Sequence, residues 1–139
     1  MKRWIALGAV LILGLCVTIP KPAYTEDRDT VLLARAIYAL ARDDGYDAKL
    51  AIGTVAMNRV ENPWFADTLG DVLNEQHQFP IGSRYDADSL SAAHEVLAGR
   101  RTLSAGALYY QTDNATEPRN DQPVQTVGRF AFYSTDTDI

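Results

Sequence analysis

The chain opens on a run with no alternation of apolar and polar positions. Trp4 to Ile19 is 16 residues without a charge, preceded by Lys2 and Arg3 and followed by Pro20-Lys21-Pro22. A positive start, an apolar middle and a break form the layout of an export signal. As a helix the run would reach roughly 24 Å, short of the ~30 Å hydrocarbon core, so a membrane anchor is the second reading and a buried N-terminal helix the third. Lys21 stands where cleavage after Ala23 would want a small residue, and Leu15 is bulky for the lipoprotein-like string Leu13-Gly14-Leu15-Cys16. The pattern divides the chain into residues 1–23, a signal peptide or N-terminal membrane anchor, and residues 24–139, one exported domain.

Beyond the leader the periodicity turns helical. Leu33, Ile37 and Leu40 recur at helix spacing, Asp29 or Thr30 can cap the start, and Gly45 is suited to the end, which predicts a helix over 29–42. Arg28, Arg35 and Arg42 mark its wet face. A second helix over 47–60 is rich in Ala48, Ala51, Gly53, Thr54 and Ala56, small residues that suit a central, buried element. Thr68 with Asp71 resembles a capping box for a short helix through Leu73. Pro80 and Gly82 predict a loop over 75–85, and Asp88 or Ser89 starts another helix with Leu90, His94 and Leu97 on one face and Gly99 past its end. After Gly106, residues 108–110, 124–127 and 129–133 read as short strands around a polar loop. The fold class is α+β, helices first and a short antiparallel sheet at the C-terminal end.

Charge narrows the function. The 139 residues carry 13 basic and 18 acidic side chains, a net −5. Lys2, Arg3 and Lys21 belong to the leader, which leaves 10 basic against 18 acidic groups, or −8, in the remainder. A nucleic-acid partner calls for a basic face, so none is expected. The one cysteine, Cys16, lies in the leader, and the histidines are only His77 and His94. Disulfides, thiol catalysis, metal and cofactors are therefore not expected either.

The string Leu33-Ala34-Arg35-Ala36-Ile37-Tyr38-Ala39-Leu40-Ala41-Arg42 resembles the opening motif LARxIYAEARGE of the SleB/CwlJ-type cell wall hydrolases, the spore cortex-lytic family. Ala51 to Val60 resembles the family's VAVGAVVLNRV helix, and Gln78-Phe79-Pro80-Ile81 its QFSPV segment with one residue fewer. Ala107-Leu108-Tyr109-Tyr110 resembles ALYYY, and Val127-Gly128 with Phe132-Tyr133 resembles IGNHxFY. The likeness covers about residues 31–133 in the right order. It implies a small lysozyme-like domain acting on the glycan strands of peptidoglycan, typically by lytic transglycosylation through one glutamic acid. Such an acid delivers a proton to the departing glycosidic oxygen from a carboxyl kept protonated by an apolar pocket.

By the same resemblance that glutamate falls on Leu40, which has no proton to give. Asp44 matches the second glutamate of ARGE and is the substitute candidate, four residues on; Glu75, ahead of the Gln78-Phe79 segment, is another. Phe130 stands at the family's His. Tyr38, Gln78, Phe79, Tyr109 and Tyr110 fall on family motifs, and aromatic rings with an amide suit N-acetylated sugars, although Tyr38, Phe79 and one of the two tyrosines also suit the core. Asn58 and Arg59 read as structural, closing the central helix. Trp64-Phe65 reads as a satellite cluster or a contact site, and 113–121 as a plain polar loop. Two functions remain open: a cell wall hydrolase weakened by the loss of its acid, and a module that binds peptidoglycan or regulates without turnover.

Overall fold

Helix α2 (Tyr46–Glu61) organises the domain, because its small residues let neighbouring helices come close on several sides. The structure is a computed structural model that describes residues 23–76 and 78–134, so the segment expected to be a leader, Ala23 apart, lies outside the described residues. From Ala48 to Ala56 every α2 side chain is buried. Gly53 shows how tight the contact is: a Cβ there would stand 3.0 Å from Val96 Cγ2 and 3.3 Å from Ile37 Cδ1. Those two atoms belong to α4 (Ala87–Leu97) and α1 (Ala23–Ala41), which pack against α2 and against each other. The short α3 (Leu69–Asn74) closes the group with Leu69, Val72 and Leu73 buried, and Thr68 caps it by accepting the Asp71 N–H at 3.2 Å.

The sheet follows the helices. Strands β1 (Tyr109–Thr112), β2 (Gln125–Val127) and β3 (Phe130–Tyr133) are antiparallel in the order β1-β3-β2, so the last strand inserts between the first two. Tyr110 opposes Phe132 and Thr112 opposes Phe130, while Val127 also opposes Phe130, so these side chains share one face. That face holds the fully buried Phe130 and Phe132 and packs on the helices. Tyr109, Gln111, Ala131, Tyr133 and Thr126 share the outer face.

Three details differ from expectation. α1 begins at Ala23 rather than at an Asp29 or Thr30 cap, and Thr30 is buried inside it. Gly45 does not terminate α1; with φ −63° it is extended backbone at the N-cap of α2. The buried face of α4 is Ser89, Ala92, Ala93 and Val96, with Val96 against Gly53, while Leu90 and Leu97 pack half-buried at its edge and His94 is exposed.

The cap of α4 is Asp86, two residues before the expected start, and its carboxylate accepts the Ser89 N–H at 2.8 Å. Burial alone would raise this carboxyl, but the Ser89 hydrogen bonds together outweigh it and hold it below the ordinary carboxylate value. A lowered folded value means the unfolded chain takes up the proton first. The contribution is therefore complete above the ordinary value and fades as pH falls through it to the folded one. Asp86→Ala is expected to cost about 0.5–2 kcal/mol at neutral pH. In urea melts its midpoint should converge on the wild-type one as pH falls below the ordinary carboxylate range.

Candidate active-site cleft

Leu40 occupies the last turn of α1, half-buried on the rim of the core. The turn after it is held from two sides. From below, Lys49, 3% exposed, sends Nζ to the Arg42 carbonyl at 3.2 Å and the Asp44 carbonyl at 2.7 Å. A cation there satisfies carbonyls at the negative end of a helix, which explains a lysine in the interior. From above comes Arg129, in the β2–β3 hairpin beside Gly128, whose φ of +57° favours glycine. Arg129 Nη2 donates to the Leu40 carbonyl at 3.0 Å, and Nε donates to Asp44 Oδ1 and Oδ2 at 3.0 and 3.2 Å. The Asp44 hydrogen bond raises the Arg129 guanidinium above its ordinary value, so it stays charged. Asp44 is 16% exposed and Arg129 37%.

Arg129 also lines a groove of about 340 Å³ together with Gln111, Asp113, Thr126, Phe130 and Tyr133. The segment read as a plain polar loop walls it. Gln111 Nε2 donates to the Glu117 carbonyl at 2.6 Å, Gln111 Oε1 accepts the Arg119 N–H at 3.2 Å, and the Arg119 guanidinium lies 4.1 Å over the Tyr133 ring. Hydroxyl, amide, carboxylate, guanidinium and aromatic groups thus line one open groove.

The other candidates gather around Arg59. This side chain is 1% exposed, donates from Nε to the Leu108 carbonyl at 2.7 Å, and stands about 5 Å from the rings of Phe65, Phe79 and Tyr109. Asn58 beside it donates to the Ser104 and Ala107 carbonyls at 2.8 and 3.0 Å, so both residues tie α2 to the approach to β1. Phe79 is buried in the core, 5.6 Å from the Tyr110 ring. Tyr109 is half-buried on the outer face, 5.9 Å from Phe65. Tyr38 is half-buried on α1 and reaches Arg42. Gln78 meets Tyr110 through its backbone: the phenol donates to the Gln78 carbonyl at 2.6 Å. Glu75 is the C-cap of α3, and its carbonyl accepts the Gln78 N–H at 3.4 Å.

Burial pushes the Tyr110 phenol up to about 12, with Arg59 pulling the other way. Unfolded tyrosine ionises near 10, so this group's stabilisation is complete below that value and is lost as pH rises through the folded one. Following phenolate absorbance, one of the seven tyrosines should ionise last, and Tyr110→Phe should remove that step.

Sequence reasoning missed Arg129, Thr126 and Asp113 as groove residues. The signal for the first was available, since Arg129 stands at the Asn of the IGNHxFY-like string, a changed residue in the same constellation as Leu40.

Among the described residues, four helices followed by a three-stranded antiparallel sheet define an α+β domain class that solved structures share. The fold matches the catalytic domain of the Bacillus cereus SleB protein with a TM-score of 0.70 at 22% identity, covering 77% of this chain and 90% of that one. It also matches the catalytic domain of the germination-specific lytic transglycosylase SleB from Bacillus anthracis, with a TM-score of 0.68 at 25% identity over 76% and 93% of the two chains. The Cell Wall Hydrolase family profile matches residues 43–133. The chain belongs to that family. Spore cortex-lytic enzymes of Halalkalibacterium halodurans and Bacillus subtilis are 31% and 33% identical to it, over 68% and 70% of this chain. The matches take in 31% and 34% of those enzymes, so the chain spans about a third of their length.

Proposed function

We propose that this chain is an exported, peptidoglycan-directed member of the cell wall hydrolase family that holds glycan strands and cleaves them weakly or not at all. The single observation that carries the reading is the Arg129 guanidinium bound to both the Leu40 carbonyl and the Asp44 carboxylate. At the position where the resemblance calls for a proton donor there is a leucine, and the nearest substitute accepts hydrogen bonds on both oxygens from a cation. A general acid needs the reverse, a carboxyl that keeps its proton and points it at the leaving oxygen.

The other elements of the reading have separate supports. Export rests on the charged-then-apolar pattern of residues 1–23, whether removed as a signal or kept as an anchor on the outer side of a membrane. Among the described residues no helix is long and apolar enough to cross a membrane. Glycan strands as partner rest on the family and on the groove beside Tyr133 and Arg129. The same ion pair favours a second reading, a peptidoglycan-binding or regulatory module without turnover.

The test is incubation of the purified full chain with cortex and vegetative sacculi, followed by sedimentation and by chromatography of released anhydro-muropeptides. Sedimentation with slow release supports a weakened hydrolase, and sedimentation without release supports the module without turnover. Release that vanishes in Asp44→Asn would overturn the reading of Asp44 as an ion-pair partner. Failure to sediment would remove the glycan from the account.

A further inference from the structure

We infer that Trp64 is a stacking platform for an additional sugar of the glycan strand, outside the groove that Arg129 closes; this rests on the glycan-directed reading above. Trp64 is 91% exposed, against 43% for Tyr85 and 47% for Val124, the other large apolar side chains at the surface. An indole offers one of the largest apolar surfaces of any side chain, and among the described residues this one is left almost wholly uncovered.

The loop that displays it is built. Asn62 ends α2 with its N–H on the Arg59 carbonyl at 3.0 Å. Its side-chain Oδ1 accepts the Trp64 N–H at 2.9 Å, and its carbonyl accepts the Phe65 N–H at 3.1 Å. Pro63 restricts the backbone between them. Phe65 is the anchor, held 5.0 Å from the Arg59 guanidinium and 5.9 Å from the Tyr109 ring. One side chain of the pair is therefore fastened to the domain and its neighbour is held in water.

The placement continues the sheet's outer face. The groove includes Tyr133, Tyr133 pairs with Tyr109 across β1 and β3, and Tyr109 meets Phe65. Tyr133, Tyr109 and Phe65 thus link the groove to the loop that carries Trp64. The surroundings favour a sugar over a bilayer. Glu61, Asn62, Asp67 and Thr68 lie within four residues of Trp64 in the chain, Asp67 is an exposed acid, and Glu61 is paired with Arg101 at 2.6 Å. A pyranose ring lays its C–H face on an aromatic ring and uses neighbouring carboxylates and amides for its hydroxyls. An anionic membrane needs basic and clustered apolar neighbours instead.

The full chain carrying Trp4→Phe keeps Trp64 as its single indole. Peptide-free glycan strands stripped from sacculi should shift its fluorescence to the blue. Trp64→Ala should weaken sedimentation with sacculi about tenfold, the size of one aromatic contact. Trp64→Tyr should retain most of the binding, with the thermal midpoint unchanged in both. Binding by Trp64→Ala equal to wild type would overturn this inference alone. A fluorescence response to phosphatidylglycerol vesicles and not to glycan would replace it with a membrane contact. Absence of wild-type binding to sacculi and to glycan strands would overturn the underlying reading and this inference together.

Discussion

Leu40→Glu combined with Arg129→Asn is expected to raise release of anhydro-muropeptides from sacculi by about 10²- to 10⁴-fold, the usual contribution of a positioned general acid. The single variant Leu40→Glu should give much less at neutral pH. The difference follows from Arg129, whose guanidinium already donates to the residue 40 carbonyl. A glutamate introduced there would have a guanidinium bound to its own carbonyl, and a nearby positive charge favours the ionised form. Beside that charge and the Asp44 pair it would hold its proton less well than a general acid requires. Asparagine at 129, the residue of the family string, removes the charge. The measurement is the initial rate of product release against pH. Equal rates for the single and double variants would show that Arg129 does not control the acid. No product from either would place the defect elsewhere in the cleft.

Arg59→Ala should lower the stability of the domain by about 3–5 kcal/mol, out of the 5–15 typical of a domain this size. The change empties a fully buried volume, deprives the Leu108 carbonyl of its donor, and leaves three aromatic rings without the cation between them. Arg59→Met refills most of the space and offers sulfur to the rings, and should recover about half of the loss. Urea denaturation measures both. Because Phe79 and Tyr109 pack on the same guanidinium, sacculus binding should fall with stability in Arg59→Ala. A stable Arg59→Ala protein would mean the box is held by its aromatic contacts alone.

The helices were legible in the sequence wherever a local rule had no competitor. The small-residue run predicted a central α2, and Thr68 predicted its own cap. At α4 two aspartates and a serine compete, and Asp86 wins because its side chain reaches the Ser89 N–H. The stripe read on α4 was half right: Leu90 and Leu97 pack at the edge of the core, whereas the fully buried face is Ala92, Ala93 and Val96, with Val96 against Gly53. The strands were placed within a residue or two, but the order β1-β3-β2 is a long-range choice that no local pattern encodes. The same limit applies to the site. The motifs pointed to positions 40, 44, 78 and 109, yet Arg129 is 85 residues from Asp44 and only folding brings them together. Ring candidates were harder still, since Phe79 lies in the core and Tyr109 reaches the surface although both fall on family motifs.

Lys49 and Arg129 grip the 40–44 turn independently, one from the interior and one from the sheet. The backbone there has redundant support, so the side chain at 40 can change identity without the surrounding geometry drifting. Such a scaffold is mutationally permissive at the position where its chemistry would reside. Its descendants can lose or regain a carboxylate while keeping the same cleft. Removing both grips, as in Lys49→Met with Arg129→Asn, would cost more than the sum of the single changes, because only then is the turn released.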